Sequence, residues 1–100
     1  MFKFFSQKEI IGDWFGFLEI QNTKMKIVFH ILDENGKLSG TMDSPDQGAK
    51  GIPVTTSNFE NKVLKLAVSN AKIEYEGVLG NDGVVTGNFK QSGMYFPMNL

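Results

Sequence analysis

The chain has 100 residues, which suits one domain, and 41% of them are hydrophobic. Lys and Arg total 10 against 11 Asp and Glu, so the net charge of −1 leaves no basic stripe for nucleic acid or anionic membranes. No cysteine is present, which excludes disulfides, iron–sulfur clusters and thiolate-bound zinc. No apolar run approaches the roughly 18 residues of a spanning helix, so we predict no membrane span.

Residues 1–11 are predicted to form an N-terminal stub with a short helical turn. Ser6 and Glu9 have the spacing of a capping box, which predicts that turn over residues 6–11. Met1–Gln7 is too short for a signal peptide. It is either the end of an export signal, which predicts a periplasmic or secreted protein, or a native N-terminus, which predicts a cytoplasmic one.

Residues 12–100 alternate between apolar and polar side chains, as strands with one buried face do. The alternation predicts about eight short strands, over residues 13–20, 25–32, 37–43, 52–56, 63–68, 72–79, 84–90 and 95–100. Asn35-Gly36 is the strongest hairpin turn among them, and Pro53 indicates an edge strand or a bulge. Sequential hairpins leave no room for a crossover helix, so we expect an all-β domain with antiparallel, up-and-down order.

Glycines recur two positions from large rings, on the same face of a strand. Gly77 follows Tyr75 by two residues, and Gly87 precedes Phe89 by two. Small residues beside rings suit a tight, sharply bent sheet, so the pattern predicts a small β-barrel. A two-sheet sandwich also fits the alternation. The strand pattern still continues at Leu100, and we expect the chain to be cut from a longer protein.

Five aromatic side chains fall on the predicted inner face and are candidates for lining the barrel: Trp14, Phe29, Tyr75, Phe89 and Phe96. They predict either a packed core or a pocket for a small apolar ligand. Phe15, Phe17 and Tyr95 fall on the outer face, where they predict an apolar patch for docking a partner.

Residues 43–51 form the longest segment without periodicity. A long loop among short hairpins is often a binding surface. The candidate contact residues of this interaction loop are Asp43, Ser44, Asp46, Gln47 and Lys50.

No set of catalytic, metal-binding or cofactor-binding residues is recognisable. His30 is the only histidine, and its strand position points outward, which indicates a surface histidine and cannot make a conventional zinc site. Asp33-Glu34-Asn35 begins like a calcium loop, but the required later ligands are missing, so we predict a hairpin turn. The sequence predicts that the chain itself is not an enzyme.

Two parts of the chain resemble known families. Gly12-Asp13-Trp14 resembles the Gly-x-Trp start of lipocalin-like barrels. Ile27-Val28-Phe29-His30-Ile31, followed by the run from Leu38 to Val54, is similar to the N-terminal accessory domain of bacterial serine hydrolases with an α/β-hydrolase catalytic domain. The closing pattern, Tyr75-Glu76-Gly77 to Gly87-x-Phe89, extends the likeness over nearly the whole chain.

The resemblance implies a lipocalin-like accessory domain of an exported esterase or peptidase. In that family the chemistry belongs to a following domain with a Gly-x-Ser-x-Gly motif, which does not occur here. The implied role is docking on a hydrolase domain in cis or in trans, shaping access to its substrate, or forming a homodimer. Residues 43–51 would contact that hydrolase domain.

Overall fold

The computed structural model describes residues 7–100, and they are built from antiparallel strands without an α-helix, which confirms the all-β class. Nine strands follow one another: β1 (Gly12–Ile20), β2 (Thr23–Glu34), β3 (Lys37–Ser44), β4 (Ala49–Pro53), β5 (Thr56–Glu60), β6 (Val63–Val68), β7 (Ile73–Leu79), β8 (Val85–Gln91) and β9 (Met94–Pro97). Single 3-10 turns cover Gln7–Glu9, Pro45–Gln47 and Ser69–Ala71.

The strands form two sheets. The first has the order β1-β2-β3-β4 and the second has the order β5-β6-β7-β8-β9. Within each sheet every strand therefore pairs with its neighbours in the chain, and the antiparallel up-and-down order predicted from the hairpins is confirmed there. Within residues 7–100 no ladder joins the two sheets into a closed ring, so the arrangement is the two-sheet one.

The predicted strand over residues 52–56 is wrong, because the chain passes there from one sheet to the other. The Val54 amide donates to the Gly40 carbonyl in β3 (2.9 Å), whereas the Thr55 amide donates to the Ala67 carbonyl in β6 (2.7 Å). Since two successive amides bond to different sheets, a single predicted strand becomes the end of β4 and the start of β5.

Residues 43–51, predicted as a long loop, are mostly regular. They hold the end of β3, the turn Pro45–Gln47 and the start of β4. The fixed φ of proline and the left-handed Gly48 (φ 69°) reverse the chain within a few residues, so β4 begins almost at once. Pro53 lies on β4, the edge strand of the first sheet, as predicted.

Two polar turns are hairpin connections, and the one at Asn35-Gly36 confirms the sequence prediction. Asn35 and Gly36 both have positive φ (56° and 86°), and the Asp33 carboxylate accepts the Gly36 amide at 2.8 Å. The Asp82 carboxylate likewise accepts the Val84 amide at 3.0 Å. These carboxylates stabilise turns, which accounts for acidic residues that otherwise suggest calcium ligands.

The inward side chains of both sheets form one core. Its buried apolar members are Ile10, Leu18, Ile27, Phe29, Ile31, Met42, Phe59, Leu64, Leu66, Val68, Ile73, Tyr75, Leu79, Val85, Phe89 and Met98. The sheets meet where Phe29 of β2 contacts Tyr75 of β7, with ring centroids 5.9 Å apart. Burial of these side chains is the main stabilising term of the fold.

The glycines beside Tyr75 make room for its ring. The Tyr75 hydroxyl donates to the Met98 carbonyl at 2.7 Å, and a Cβ placed on either Gly77 or Gly87 would lie 2.8 Å from that hydroxyl oxygen. A Cβ on Gly87 would also lie 2.2 Å from the Glu76 carbonyl. The pairing of small residues with rings, read from the sequence, is therefore a packing requirement.

The residues before β1 pack onto the domain. Ile10 is fully buried, and its carbonyl accepts the Trp14 indole N–H at 2.8 Å. Glu9 forms an ion pair with Lys62, in the turn between β5 and β6. These contacts join the start of the described chain to β1 of the first sheet and to the β5–β6 turn of the second.

The predicted helical turn over residues 6–11 corresponds to a shorter 3-10 turn, Gln7–Glu9. Its predicted capping residue, Ser6, lies outside the described residues. So does most of Met1–Gln7, on which the export-signal interpretation rests.

The end of the chain continues the second sheet beyond β9. The Leu100 amide donates to the Val85 carbonyl at 2.8 Å, and the Val85 amide donates back at 3.0 Å. The Asn99 carbonyl also approaches β1, where a Cβ on Gly16 would lie 2.2 Å from it. The edge strands of the two sheets thus come close together at Gly16.

Candidate functional site on the outer face of the first sheet

Three ionisable side chains meet on the outer face of the first sheet: Asp13 on β1, His30 on β2 and Asp43 on β3. Asp13 lies directly opposite His30, and Asp43 lies diagonally, because its own partner is Val28. His30 Nδ1 is 2.6 Å from Asp13 Oδ1, and Nε2 is 2.8 Å from Asp43 Oδ2. We call this group the Asp–His–Asp cluster.

The two carboxylates of the cluster differ in exposure and support. The Asp43 side chain is 16% exposed, and its second oxygen accepts the Gly51 amide of β4 at 2.8 Å. The Asp13 side chain is 75% exposed. Asp43 is thus held by the fold, whereas Asp13 is largely solvated.

The cluster favours a charged imidazole. The hydrogen bond to Asp43, and then that to Asp13, raises the pKa of His30 above its ordinary value of 6.5. The Gly51 amide, and then His30, lowers the pKa of Asp43 below its ordinary value of 3.8. A neutral imidazole has one N–H, so only the imidazolium donates to both carboxylates at once.

This geometry limits what His30 does chemically. When both ring nitrogens donate to carboxylates, neither is available to take a proton from a nucleophile. The carboxylates also lie at opposite ends of the ring, so they cannot share one metal ion with it. Within residues 7–100, no group of three or more His, Asp and Glu side chains has the arrangement of a metal site.

An aromatic patch adjoins the cluster on β1 and β2. Phe15 and Phe17 are 53% and 50% exposed, and their rings meet edge-to-face with centroids 6.0 Å apart. Lys26 Nζ lies 4.7 Å from the Phe15 ring centroid, and Val28 lies opposite Phe15 in the ladder. We call Phe15, Phe17 and Val28 the phenylalanine patch. It adjoins the cluster because Val28 is also the ladder partner of Asp43.

Tyr95, predicted to join that patch, lies on the other sheet. It is exposed on β9, with Lys90 Nζ 5.2 Å from its ring centroid. The predicted outer patch is therefore divided between the two sheets, and only its Phe15–Phe17 part has contacting rings.

The other candidate residues of the predicted interaction loop mostly stabilise the β3–β4 hairpin. The buried Ser44 hydroxyl donates to Gln47 Oε1 at 2.7 Å. Asp46 Oδ2 accepts the backbone amide of Lys26 at 2.9 Å, which ties the turn to β2. Lys50 is exposed on β4.

The candidate lining residues lie in or against the core. Phe29, Tyr75 and Phe89 are fully buried, and Trp14 and Phe96 are partly buried against them. A depression of about 430 Å³ lies on the outer face of the second sheet, over β7, β8 and β9, and none of these five side chains lines it.

The Asp–His–Asp cluster was not predicted from the sequence, although a register argument points to it. The two-residue turn at Gln21–Asn22 places Asp13 opposite His30, and the turn at Asn35-Gly36 places Asp43 diagonal to it. That inference requires the exact residues of both turns, because a shift of one residue in the strand register moves every side chain to the other face of the sheet.

No family model, curated protein or solved structure matches this chain. In residues 7–100, no helix combines the length and the apolar character that crossing a bilayer requires.

Proposed function

We propose that this chain is a non-catalytic interaction domain, lipocalin-like in kind, that docks on a serine hydrolase of the α/β-hydrolase class through the phenylalanine patch. The observation that carries the proposal is the exposure of two contacting rings, Phe15 and Phe17, on the outer face of the first sheet. Exposed clusters of apolar side chains on a folded domain are typical of protein interfaces, where aromatic residues are enriched.

The packing of the interior supports a scaffold role. Phe29, Tyr75 and Phe89 are each at most 1% exposed, and the Tyr75 hydroxyl is hydrogen-bonded inside the core. Side chains that occupy the interior in this way favour a packed core over a site for an apolar ligand.

The Asp–His–Asp cluster also supports a non-catalytic role. A histidine that acts as a general base needs a free ring nitrogen within reach of a nucleophile. Both nitrogens of His30 face carboxylates instead.

The choice of partner rests on the sequence resemblance to accessory domains of exported serine hydrolases. The same resemblance implies a periplasmic or secreted protein. The resemblance also implies that residues 43–51 contact the hydrolase domain. These residues connect β3 to β4 in the sheet that carries the phenylalanine patch, so the outer face of that sheet would contact the hydrolase.

The proposal is tested by affinity capture with a chemical readout. The tagged chain is incubated with an extract of the source organism, and captured proteins are labelled with a fluorophosphonate, which reacts with activated serines. We expect a labelled hydrolase to be retained by the wild-type chain and lost with the Phe15→Ser/Phe17→Ser variant.

Val78→Ser is the matched control, since Val78 is 51% exposed but lies on the second sheet. The proposal is wrong if no fluorophosphonate-reactive protein is retained, or if both variants retain it equally. Native mass spectrometry of the purified chain adds an independent check, because a stoichiometric bound lipid would assign the chain to apolar-ligand binding instead.

A further inference from the structure

We propose that the Asp–His–Asp cluster is a pH-operated clasp, which holds β1 to β2 and β3 when His30 is protonated and releases Asp13 when it is not. This inference does not depend on any docking partner. It concerns the state of β1 in the isolated chain.

The clasp connects all four strands of the first sheet through side chains. Asp13 of β1 binds His30 of β2, His30 binds Asp43 of β3, and Asp43 binds the Gly51 amide of β4. Such a chain of charge-assisted hydrogen bonds runs across the strands, in addition to the backbone ladders.

Loss of the proton breaks one specific contact. A neutral imidazole donates from one nitrogen, and the other presents a lone pair to the facing carboxylate. Asp43 is little exposed and held by Gly51, so the bond from His30 Nε2 to Asp43 is retained. The lone pair then falls on Nδ1, which repels Asp13, and that side chain is exposed enough to turn into water.

Carboxyl groups face His30 from both neighbouring strands. Asp13 faces it from β1 and Asp43 from β3, while Lys50 of β4 acts on Asp43 and favours its ionised form. Thr41, the direct ladder partner of His30 on β3, carries no charge.

Opening the clasp changes the surface beside the phenylalanine patch. The cluster loses one positive charge when the imidazolium becomes neutral, while the two carboxyl groups remain beside the ring. Asp13 is two residues from Phe15 on the same face of β1. The pH of the surroundings thus sets both the hold on β1 and the charge next to the exposed rings.

The sign of the linked stability follows from the direction of the shift. The folded state raises the pKa of His30 above 6.5, so the stabilisation is fully present below pH 6.5. It is lost as the pH rises through the folded-state pKa of His30.

Nuclear magnetic resonance of the imidazole tests the clasp directly, because His30 is the only histidine in the chain. Long-range ¹H–¹⁵N spectra recorded across the titration identify which ring nitrogen keeps its proton. We expect a pKa above 6.5 and, at high pH, the tautomer protonated on Nε2. A proton on Nδ1 at high pH, or a pKa of 6.5 or lower, would overturn the proposal.

Two variants separate the arms of the clasp. Asp13→Asn replaces an exposed carboxylate and is expected to lower the pKa of His30 while leaving the Nε2 tautomer in place. Asp43→Asn is expected to lower that pKa further, because Asp43 is the larger cause of its rise. If Asp13→Asn leaves the pKa of His30 unchanged, Asp13 is not an arm of the clasp and the proposal fails.

Hydrogen exchange reports the consequence for β1. After correction for the intrinsic pH dependence of exchange, amides at the Gly12–Trp14 end of β1 should lose protection as His30 deprotonates. His30→Gln, which never becomes charged, should show no such step. A wild-type profile without a step, or an equal step in His30→Gln, would contradict the release of β1.

Discussion

Gly87→Ala tests whether the core is as tightly packed around Tyr75 as the structure indicates. The added Cβ would lie 2.2 Å from the Glu76 carbonyl oxygen, 2.5 Å from Gly77 Cα and 2.8 Å from the Tyr75 hydroxyl. Two of these neighbours are backbone atoms of β7, so β7 and β8 must separate, and the Tyr75 hydroxyl must shift as well. Overpacking of this kind costs about 3 kcal/mol, at the upper end of the usual range.

Alanine also lowers the conformational entropy of the unfolded chain relative to glycine, which stabilises the folded state by about 0.5–1 kcal/mol. The net loss in the free energy of unfolding is therefore about 2 kcal/mol for Gly87→Ala. For a domain of this size that loss lowers Tm by roughly 8–16 °C. Differential scanning calorimetry measures it, with urea unfolding as a second estimate of the free energy.

Gly80→Ala is the matched control for this experiment. Its nearest new contact is Asp82 Oδ1 at 2.8 Å, the end of an exposed side chain that can turn aside at the cost of one surface hydrogen bond to the Val84 amide. We expect its Tm to stay within about 4 °C of wild type, corresponding to less than about 1 kcal/mol. Equal Tm values for Gly87→Ala and Gly80→Ala would refute the packing argument.

Two further predictions concern the hydrogen-bonded side chains of Tyr75 and Asp43. Tyr75→Phe leaves the Met98 carbonyl without its buried donor, so urea unfolding should show a loss of about 1–2 kcal/mol in the free energy of unfolding. Tyr95→Phe, on the surface, should show almost none. Similar losses in the two variants would contradict the hydrogen bond assigned to Tyr75. Because the pKa of Asp43 is lowered in the folded state, the stability it contributes is present above pH 3.8 and lost as the pH falls through its folded-state pKa. The free energy of unfolding should therefore fall less steeply with decreasing pH in Asp43→Asn than in wild type. An unchanged pH dependence would show that Asp43 does not cause the loss of stability in acid.

The strands and the inward faces could be predicted because their signals are local. Val63–Val68 agrees in both bounds with the sequence prediction, since alternation and the flanking turns define it from both sides. The rings of Phe29, Tyr75 and Phe89 are buried as their positions in the pattern require.

The predicted strand over residues 52–56 was wrong because contacts with distant residues, not the local pattern, determine the pairing there. Nothing local distinguishes Val54 from Thr55, and the sheet to which each amide bonds depends on where the distant residues Gly40 and Ala67 lie. Closure of the strands into a ring is a similar property of the whole chain, and alternation reports only that each strand has one buried face.

The sequence predicted some residues of the candidate site but not the contacts that bring them together. Phe15 and Phe17 could be assigned to an outer patch because strand parity alone separates them from Trp14. The partners of His30 could not, because Asp13 and Asp43 reach it through the registers of two separate hairpins. Tyr95 was grouped with the patch because parity does not tell which sheet an outward residue belongs to.

The most direct test of the proposed docking role is isothermal titration calorimetry with a fluorophosphonate-reactive hydrolase recovered by affinity capture. Phe15 and Phe17 are each about half exposed, so burying both at an interface is worth about 2 kcal/mol, or roughly 30-fold in Kd. We predict that Phe15→Ser/Phe17→Ser weakens binding by about that factor and that Val78→Ser leaves it unchanged. Equal affinity for wild type and the double variant would contradict the account, and so would ester hydrolysis by the isolated chain that is lost with His30→Ala.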